Sequence, residues 1–484
     1  MNLTQEAIKE IKKSQGATLP IIIRDLIKDE SSNRLRMQNL WSEYTGGVQI
    51  KSTYIPDNPA RPAERLAHDY RGIIVQQQVS YLVGNPIQFT LSEGAATDYV
   101  VATELLEKFL KVNYYEKLIS ELETYLAVCG QGAILLYYIN KSDYLGNNNV
   151  EVIAKTIKPF EQIVINDSTT DEPQVGMIYY QVEVINGQNR SYRTKVEFYD
   201  NINVYYFIED AGGNYIPDNT YGDTFQPHGF TEMPLIPFYN NSLKMGAFEK
   251  VKVLIDGYDS LISSALSDYR AYAMAYLIYY GILPDAEQID LARKTGAFYV
   301  PLSTDGNDNS RIEFLTKEMN TQNLKELADR LNNDIFKFAS AIDYSDESFG
   351  GNQSGVARRY KLIPLESKAM ESERWLKFGL QQMFKVISTF WAQLTGIKVD
   401  PTGIEMTLTR NLPLDYTVAD LIALKAANII STETAINSLP FIDDTEKELK
   451  RLEEQGVDTN DTENDSVPEP IPLLPTQEPA LGSE

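Results

Sequence analysis

The feature that most limits how this chain folds is the segment from Thr231 to Gly281. It opens with an extended apolar run, Met233-Pro-Leu-Ile-Pro-Phe-Tyr239, and turns at Asn240-Asn241-Ser242. One long helical pattern follows. Phe248, Val251, Ile255, Tyr258, Ile262, Ala265, Tyr269, Tyr272 and Tyr276 succeed one another at steps of three and four, which places them on one helical stripe. Asp256, Asp259, Ser260, Ser263 and Ser267 fall largely on other faces. A helix from Phe248 to Tyr280 spans about 50 Å. With one polar side, it can line a passage or join two bodies. The same periodicity also fits an amphipathic core helix of an ordinary domain.

With 484 residues, the chain has room for two or more domains. Its formal net charge of −24 argues against binding nucleic acid by neutralising phosphates, which takes stripes of Lys and Arg. Such a chain can still surround DNA without gripping it. A single cysteine, Cys129, excludes an internal disulfide framework and fits a reducing compartment; beside Gly130 it reads as packing rather than as a nucleophile. The start, MNLTQEAIKEIKKSQG, holds no apolar core of signal-peptide length. The apolar run from Ala271 to Leu283 is too short to span a bilayer and stops at Pro284, so no membrane contact is expected.

Taken in order, the chain predicts helices up to Lys28 and from Arg34 to Tyr44, the latter stopping at Gly46-Gly47. A helix from Ala63 to Val83 leads through Gly84-Asn-Pro86 into a strand ending at Leu91. One helix is expected from Ala102 to Cys129. Strands follow at Ala133–Ile139, Val150–Ile157, Gln162–Ile165, Met177–Val184, Arg193–Tyr199 and Val204–Ile208, separated by Asn- and Gly-rich turns. The first half therefore reads as α+β. Beyond the long helix come a short helix at Asp285–Lys294 and two strands, Ala297–Pro301 and Arg311–Thr316, around Asp305-Gly-Asn-Asp-Asn309. A helix at Asn323–Ala341 precedes the glycine-rich Phe349–Gly355, and another runs to about Thr395 with a kink expected at Pro364. Its stripe of Trp375, Phe378, Leu380, Met383, Phe384, Ile387, Phe390 and Trp391 reads as core. A strand at Gly403–Arg410, three short helices (Tyr416–Ala427, Thr432–Leu439, Asp443–Glu454) and an acidic, proline-dense tail expected to be disordered complete the chain. Ser431 and Asp443 are plausible N-caps.

No catalytic constellation emerges. The loop Gly350–Gly355 lacks the Gly-Lys-Ser/Thr ending of a phosphate-binding P-loop. His68 and His228 are far apart and lack the HExxH spacing of a zinc site. Neither metal nor cofactor is expected, and the chain reads as a non-enzyme. An enzyme acting on nucleic acid is the rival class.

Several motifs occur in a family order. They are Leu40…Tyr44-x-Gly46 (with Trp41 a departure), Tyr81-Leu-x-Gly84-x-Pro86-Ile, Pro159-Phe-Glu-Gln-Ile-Val-Ile165, Val196-Glu-Phe-Tyr-Asp200 and Ile236-Pro-Phe238 with its Asn-bearing turn. Ser354-Gly355-Val356-Ala357, Asn411-Leu-Pro413 and Leu439-Pro-Phe-Ile-Asp-Asp444 continue the series. From Leu35 to Glu454 the chain resembles the SPP1-like phage portal proteins. The resemblance implies a portal fold: an α+β wing (1–240), a stem helix (241–280), a small α/β clip (281–318) and a second stem helix (319–341). A tunnel loop (342–357), a kinked long helix and strand returning to the wing (358–413), a helical crown (414–455) and the tail (456–484) follow.

It further implies a homo-oligomeric ring, usually a dodecamer, at one capsid vertex, assembled in the host cytoplasm. Double-stranded DNA passes through during packaging and ejection. The implied partners are the terminase large subunit, the major capsid protein and scaffold, and a head-completion or adaptor protein at the clip. Residues expected to face the channel are Asp256, Asp259 and Asp268 on the stem helix, and Asp346, Glu347, Gly350, Gly351, Asn352 and Gln353 in the loop. Arg358 and Arg359, with Lys361, either touch phosphates or pair with nearby acids such as Glu366.

Overall fold

The computed structural model describes residues 1–13, 18–47, 64–142, 148–186, 189–273, 276–280, 285–295, 311–315, 321–344, 355–411, 418–427, 429–437 and 445–454. They fall into two units, Met1–Asn411 and Leu412–Glu484. As the alternation predicts, the fold is α+β.

The first unit is built on two sheets. One runs in the order Asn2–Leu3, Gln162–Asp167, Pro173–Asn186, Asn189–Tyr199, Asn203–Glu209, Phe225–Pro227, with Tyr215–Pro217 also on Asn203–Glu209. Its first pair is parallel and the others antiparallel. The helices Gln5–Lys13 and Leu19–Asp29 cover one face, Ile23 and Leu26 packing with Ile165, Val175 and Phe198. The other sheet orders Leu235–Tyr239, Gln131–Ser142 and Asn148–Ile157, all antiparallel. Against it lie the Gly355–Thr395 helix, through Leu376, Leu380 and Phe384, and the helices Tyr99–Val112 and Tyr115–Cys129. The aromatic stripe is core at Phe384, Phe390 and Trp391, as expected. Phe378, expected there too, is 50% exposed because it lies on the opposite side of the helix from Leu376 and Leu380. The strand Gln88–Leu91 pairs with Ile404–Thr407, so the chain returns to its first half from more than 300 residues away.

Local chemistry moves three boundaries. The helix expected from Ala63 begins at Tyr70, because Asp69 caps it by accepting from the Gly72 amide at 2.9 Å, and residues 64–69 form no helix. The helix expected from Ala102 to Cys129 is two. Asn113 donates to the carbonyls of Phe109 and Val152 and accepts from the Ala154 amide, tying the chain to the sheet edge, and Tyr114 takes a left-handed φ of 45°. The long helix is a 3-10 turn, Glu249–Val251, then Lys252–Ala273, about 33 Å. It does not reach Tyr280. The β-prone run Tyr276–Tyr280 is a strand antiparallel to Arg311–Leu315, while the expected strand Ala297–Pro301 lies outside the described residues. The Thr321–Ala339 helix packs on Lys252–Ala273, and Gly355–Thr395 runs as one helix through Pro364.

A buried polar network ties these helices together. Gln78 donates to Glu123 at 3.0 Å and to Asn240 at 2.8 Å; Ser372 donates to the same Asn240 oxygen, and Lys368 to the carbonyls of Ala247 and Ala339. Burial raises the fully enclosed Glu123 from 4.5 to about 7, against the pull of Gln78 and Lys368. The folded chain thus keeps a proton that the unfolded chain releases near 4.5. The resulting stabilisation is complete below that pH and lost as pH rises through about 7. Glu123→Gln, neutral throughout, is expected to gain roughly 1–3 kcal/mol on wild type between pH 5 and 8. Urea melts at the two pH values measure this, and parallel stability curves would assign the titration elsewhere.

In the second unit the described residues form three helices, Val418–Ala426, Thr432–Asn437 and Thr445–Glu454. Ser431 caps the second, accepting from the Thr434 amide. Asp443 and the tail from 455 lie outside the described residues.

Candidate functional site

The Lys252–Ala273 helix emerges gradually from the body. At its start Val251 and Ile255 are fully buried, joined by Phe248; Tyr258, Ile262 and Ala265 are half-buried; Tyr269 is 66% exposed. The stripe the periodicity picks out is thus core at one end and surface at the other.

The polar side of this helix is also occupied, by residues 64–69. Asp259 Oδ1 accepts from the His68 amide at 2.9 Å, Ser263 Oγ from the Leu66 amide at 3.0 Å, and Ser267 Oγ from the Glu64 amide at 2.9 Å. Helix positions advance by four and strap positions retreat by two. Four helical residues rise about 6 Å and two extended residues about 6.6 Å, so the two repeats match. Asp259 Oδ1 also meets the His68 ring Nδ1 at 2.8 Å, and Arg270 pairs with Glu64. The His68 ring stands edge-on to Tyr258, and Tyr258 edge-on to Tyr70.

One turn back, Asp256 pairs with Arg71, whose side chain is 1% exposed. Arg71 Nε donates to Glu43 Oε2 at 3.2 Å, and Lys252 Nζ lies against the other Glu43 oxygen. Charges thus alternate along Asp256, Arg71, Glu43 and Lys252.

These contacts revise the expected wall of acids. Asp259 has no exposed surface, and its carboxylate caps the strap; Asp256 is committed to Arg71. Asp268 is half-exposed and makes no ion pair among the described residues. The face left open on the first turns bears Val253, Gly257, Ser260 and Ser264, which are uncharged. The sequence signal for the strap was the i, i+4, i+8 spacing of Asp259, Ser263 and Ser267, an acceptor track parallel to the apolar stripe. Asp259→Ala should leave the His68 amide without an acceptor, costing about 2 kcal/mol locally. Amide exchange at His68 and Leu66 should then speed up roughly 10- to 100-fold. Unchanged protection at these amides would mean the track does not hold the strap.

Asp346, Glu347, Gly350, Gly351, Asn352 and Gln353 lie outside the described residues, as do the side chains of Arg358 and Arg359 in the first turns of Gly355–Thr395. The acid named as their possible partner, Glu366, receives three hydrogen bonds from Arg410 at 3.1 Å and one from Tyr81. Burial opposes it, yet these bonds hold Glu366 below the usual carboxylate range. Cys129 is buried and its thiol pushed up to about 12 by burial, which makes it inert packing. Among the described residues no group of three or more His, Cys, Asp or Glu converges as metal ligands, and no helix is long and apolar enough to cross a membrane.

Comparison with known proteins places this architecture. A family model described as phage portal protein, SPP1 Gp6-like, matches residues 23–462. The portal protein of Bacillus phage SPP1 is 27% identical over 408 residues, covering 81% of this chain and 76% of its own length. The portal protein of Clostridium phage phiCD119 is 26% identical over 467 residues, covering 92% of this chain and 98% of its own. Its members are structural proteins of the phage rather than catalysts. The chain belongs to the SPP1 Gp6-like family of phage portal proteins.

Proposed function

We propose that copies of this chain form a ring, of twelve in its working state, at one vertex of the capsid, whose axial channel passes double-stranded DNA inward during packaging and outward at infection. The observation that carries this reading is the family match over residues 23–462, which runs from within the Leu19–Asp29 helix to beyond Thr445–Glu454. The terminase large subunit supplies the hydrolysis, the major capsid protein and scaffold surround the ring, and a head-completion protein docks on the 281–318 clip.

The channel residues proposed are those that the family resemblance points to. With Asp259 buried inside the subunit and the partly exposed Asp256 paired with Arg71, the unpaired acidic contribution of the helix rests on Asp268. The loop residues Asp346, Glu347, Gly350, Gly351, Asn352 and Gln353 approach the duplex, with Arg358 and Arg359 behind them. A net charge of −24 suits a wall that repels phosphate from every side and keeps the duplex sliding. Electron microscopy of the purified full chain tests the proposal. The expected particle is a broad-winged ring with an open axis wide enough for a B-form duplex; a solitary subunit, or a ring closed at its axis, would overturn it.

A further inference from the structure

The Gly355–Thr395 helix carries an apolar face that no part of the described chain covers. Tyr360 is 69% exposed, Ile363 52%, Met370 44% and Phe378 50%. Their spacing, with Ser367 and Arg374 completing the steps of three and four, puts them on one line along about 27 Å of helix. Phe338, 58% exposed at the end of Thr321–Ala339, and Leu243, 66% exposed in the Asn240–Gly246 turn, extend the face sideways. Two hollows flank the line. One of about 320 Å³ lies between Phe338, Pro364 and Glu371; another of about 530 Å³ lies between Tyr239, Trp375 and Phe378. Asn241 borders both, so the knobs and hollows form one continuous relief.

The charge around this relief is opposite to that of the chain. Lys244, Lys250, Lys337 and Arg374 surround it, against Glu371 and Asp171, whereas the whole chain has 68 acids to 44 Lys and Arg. A cation-rimmed apolar face is a poor match for a copy of itself. A twofold contact would set lysine against lysine, so the chemistry favours a different, acidic surface. The surface of another copy of this chain is acidic on average. Contact between unlike faces of identical subunits runs head to tail, and that is the arrangement that closes rings.

We propose that the Tyr360–Phe378 face of the long helix, with Phe338 and Leu243, is a subunit–subunit contact that seats on an acidic surface of the next copy. The inference rests on the ring reading above and assigns one of its two contact faces. A buried apolar centre with a polar rim is the usual anatomy of such contacts.

The test uses the full chain with Ile363→Glu and Met370→Glu combined. Both positions are exposed, so the fold should survive, as thermal melting by circular dichroism would verify. Native mass spectrometry across a concentration series should show self-association weakened roughly 100-fold or more. Ile202→Glu, 65% exposed in the turn between Asn189–Tyr199 and Asn203–Glu209, should leave it unchanged. A photo-crosslinking residue at Phe378 should give a band at twice the 54.7 kDa chain mass. A wild-type chain that is monomeric throughout overturns both the ring and this face. A wild-type ring that the double variant leaves intact, or a Phe378 crosslink only to a different protein, overturns the face alone.

Discussion

Arg71→Ala should destabilise the Met1–Asn411 unit by about 3–5 kcal/mol, a large share of what a folded domain possesses. The guanidinium is 1% exposed and lies between Glu43, itself 7% exposed, and Asp256. Removing it strands the Glu43 carboxylate in the interior, with only Lys252 to compensate it. The loss comes from that uncompensated charge rather than from the intrinsic worth of the ion pair. Arg71→Lys should recover only part of it, because an ammonium cannot serve two carboxylates as a planar fork does. Asp256→Asn should be mild, since that side chain is 36% exposed and solvent screens the lost charge. Urea denaturation of the three variants gives the ordering. An Arg71→Ala midpoint close to wild type would show that the cluster relaxes and hydrates.

Gly130→Ala should be comparably severe, for a reason of backbone geometry. Gly130 ends the Tyr115–Cys129 helix at φ +80°, a region that costs residues with a Cβ about 1–2 kcal/mol. A Cβ there also lies 2.1 Å from the Lys244 carbonyl oxygen and 2.7 Å from the Met245 carbonyl carbon. These are backbone atoms, so no side-chain rotation relieves the clash. The 244–247 backbone is itself pinned, by Asn240 and Asn241 donating to the Met245 carbonyl and by the Ala247 amide donating to that of Ala127. Strain and displacement together amount to about 2–5 kcal/mol. A melting-temperature loss below about 2 °C would contradict this. Gly94→Ala, also at positive φ but with open space around it, isolates the conformational part.

Both predictions rest on contacts that sequence periodicity does not reveal. The core was legible where one element buries one stripe: Leu380, Met383 and Phe384 read as core and are core. Strands bounded by Asn-Gly and Gly-Gly turns were legible for the same reason, since turn chemistry and alternation are local. What stayed hidden was any helix with two partners. The Lys252–Ala273 helix buries Ile255 in the apolar core and Asp259 beneath the strap, so its acids look solvent-facing when only the apolar stripe is followed. Tyr276–Tyr280 continued a helical period by coincidence, and only its distant partner Arg311–Leu315 decided for strand. Asn113, likewise, reads as one more helical residue until the sheet edge at Val152 and Ala154 is known.

The strap against Lys252–Ala273 sets a mechanical rule for the subunit. Its three rungs share one repeat, so a slip of a single residue would strip every rung at once, whereas a slip of one full turn would offer Ser263 and Ser267 to new amides. The strap therefore fixes the axial position of the helix, since any displacement short of a full turn of about 6 Å would cost all three hydrogen bonds together.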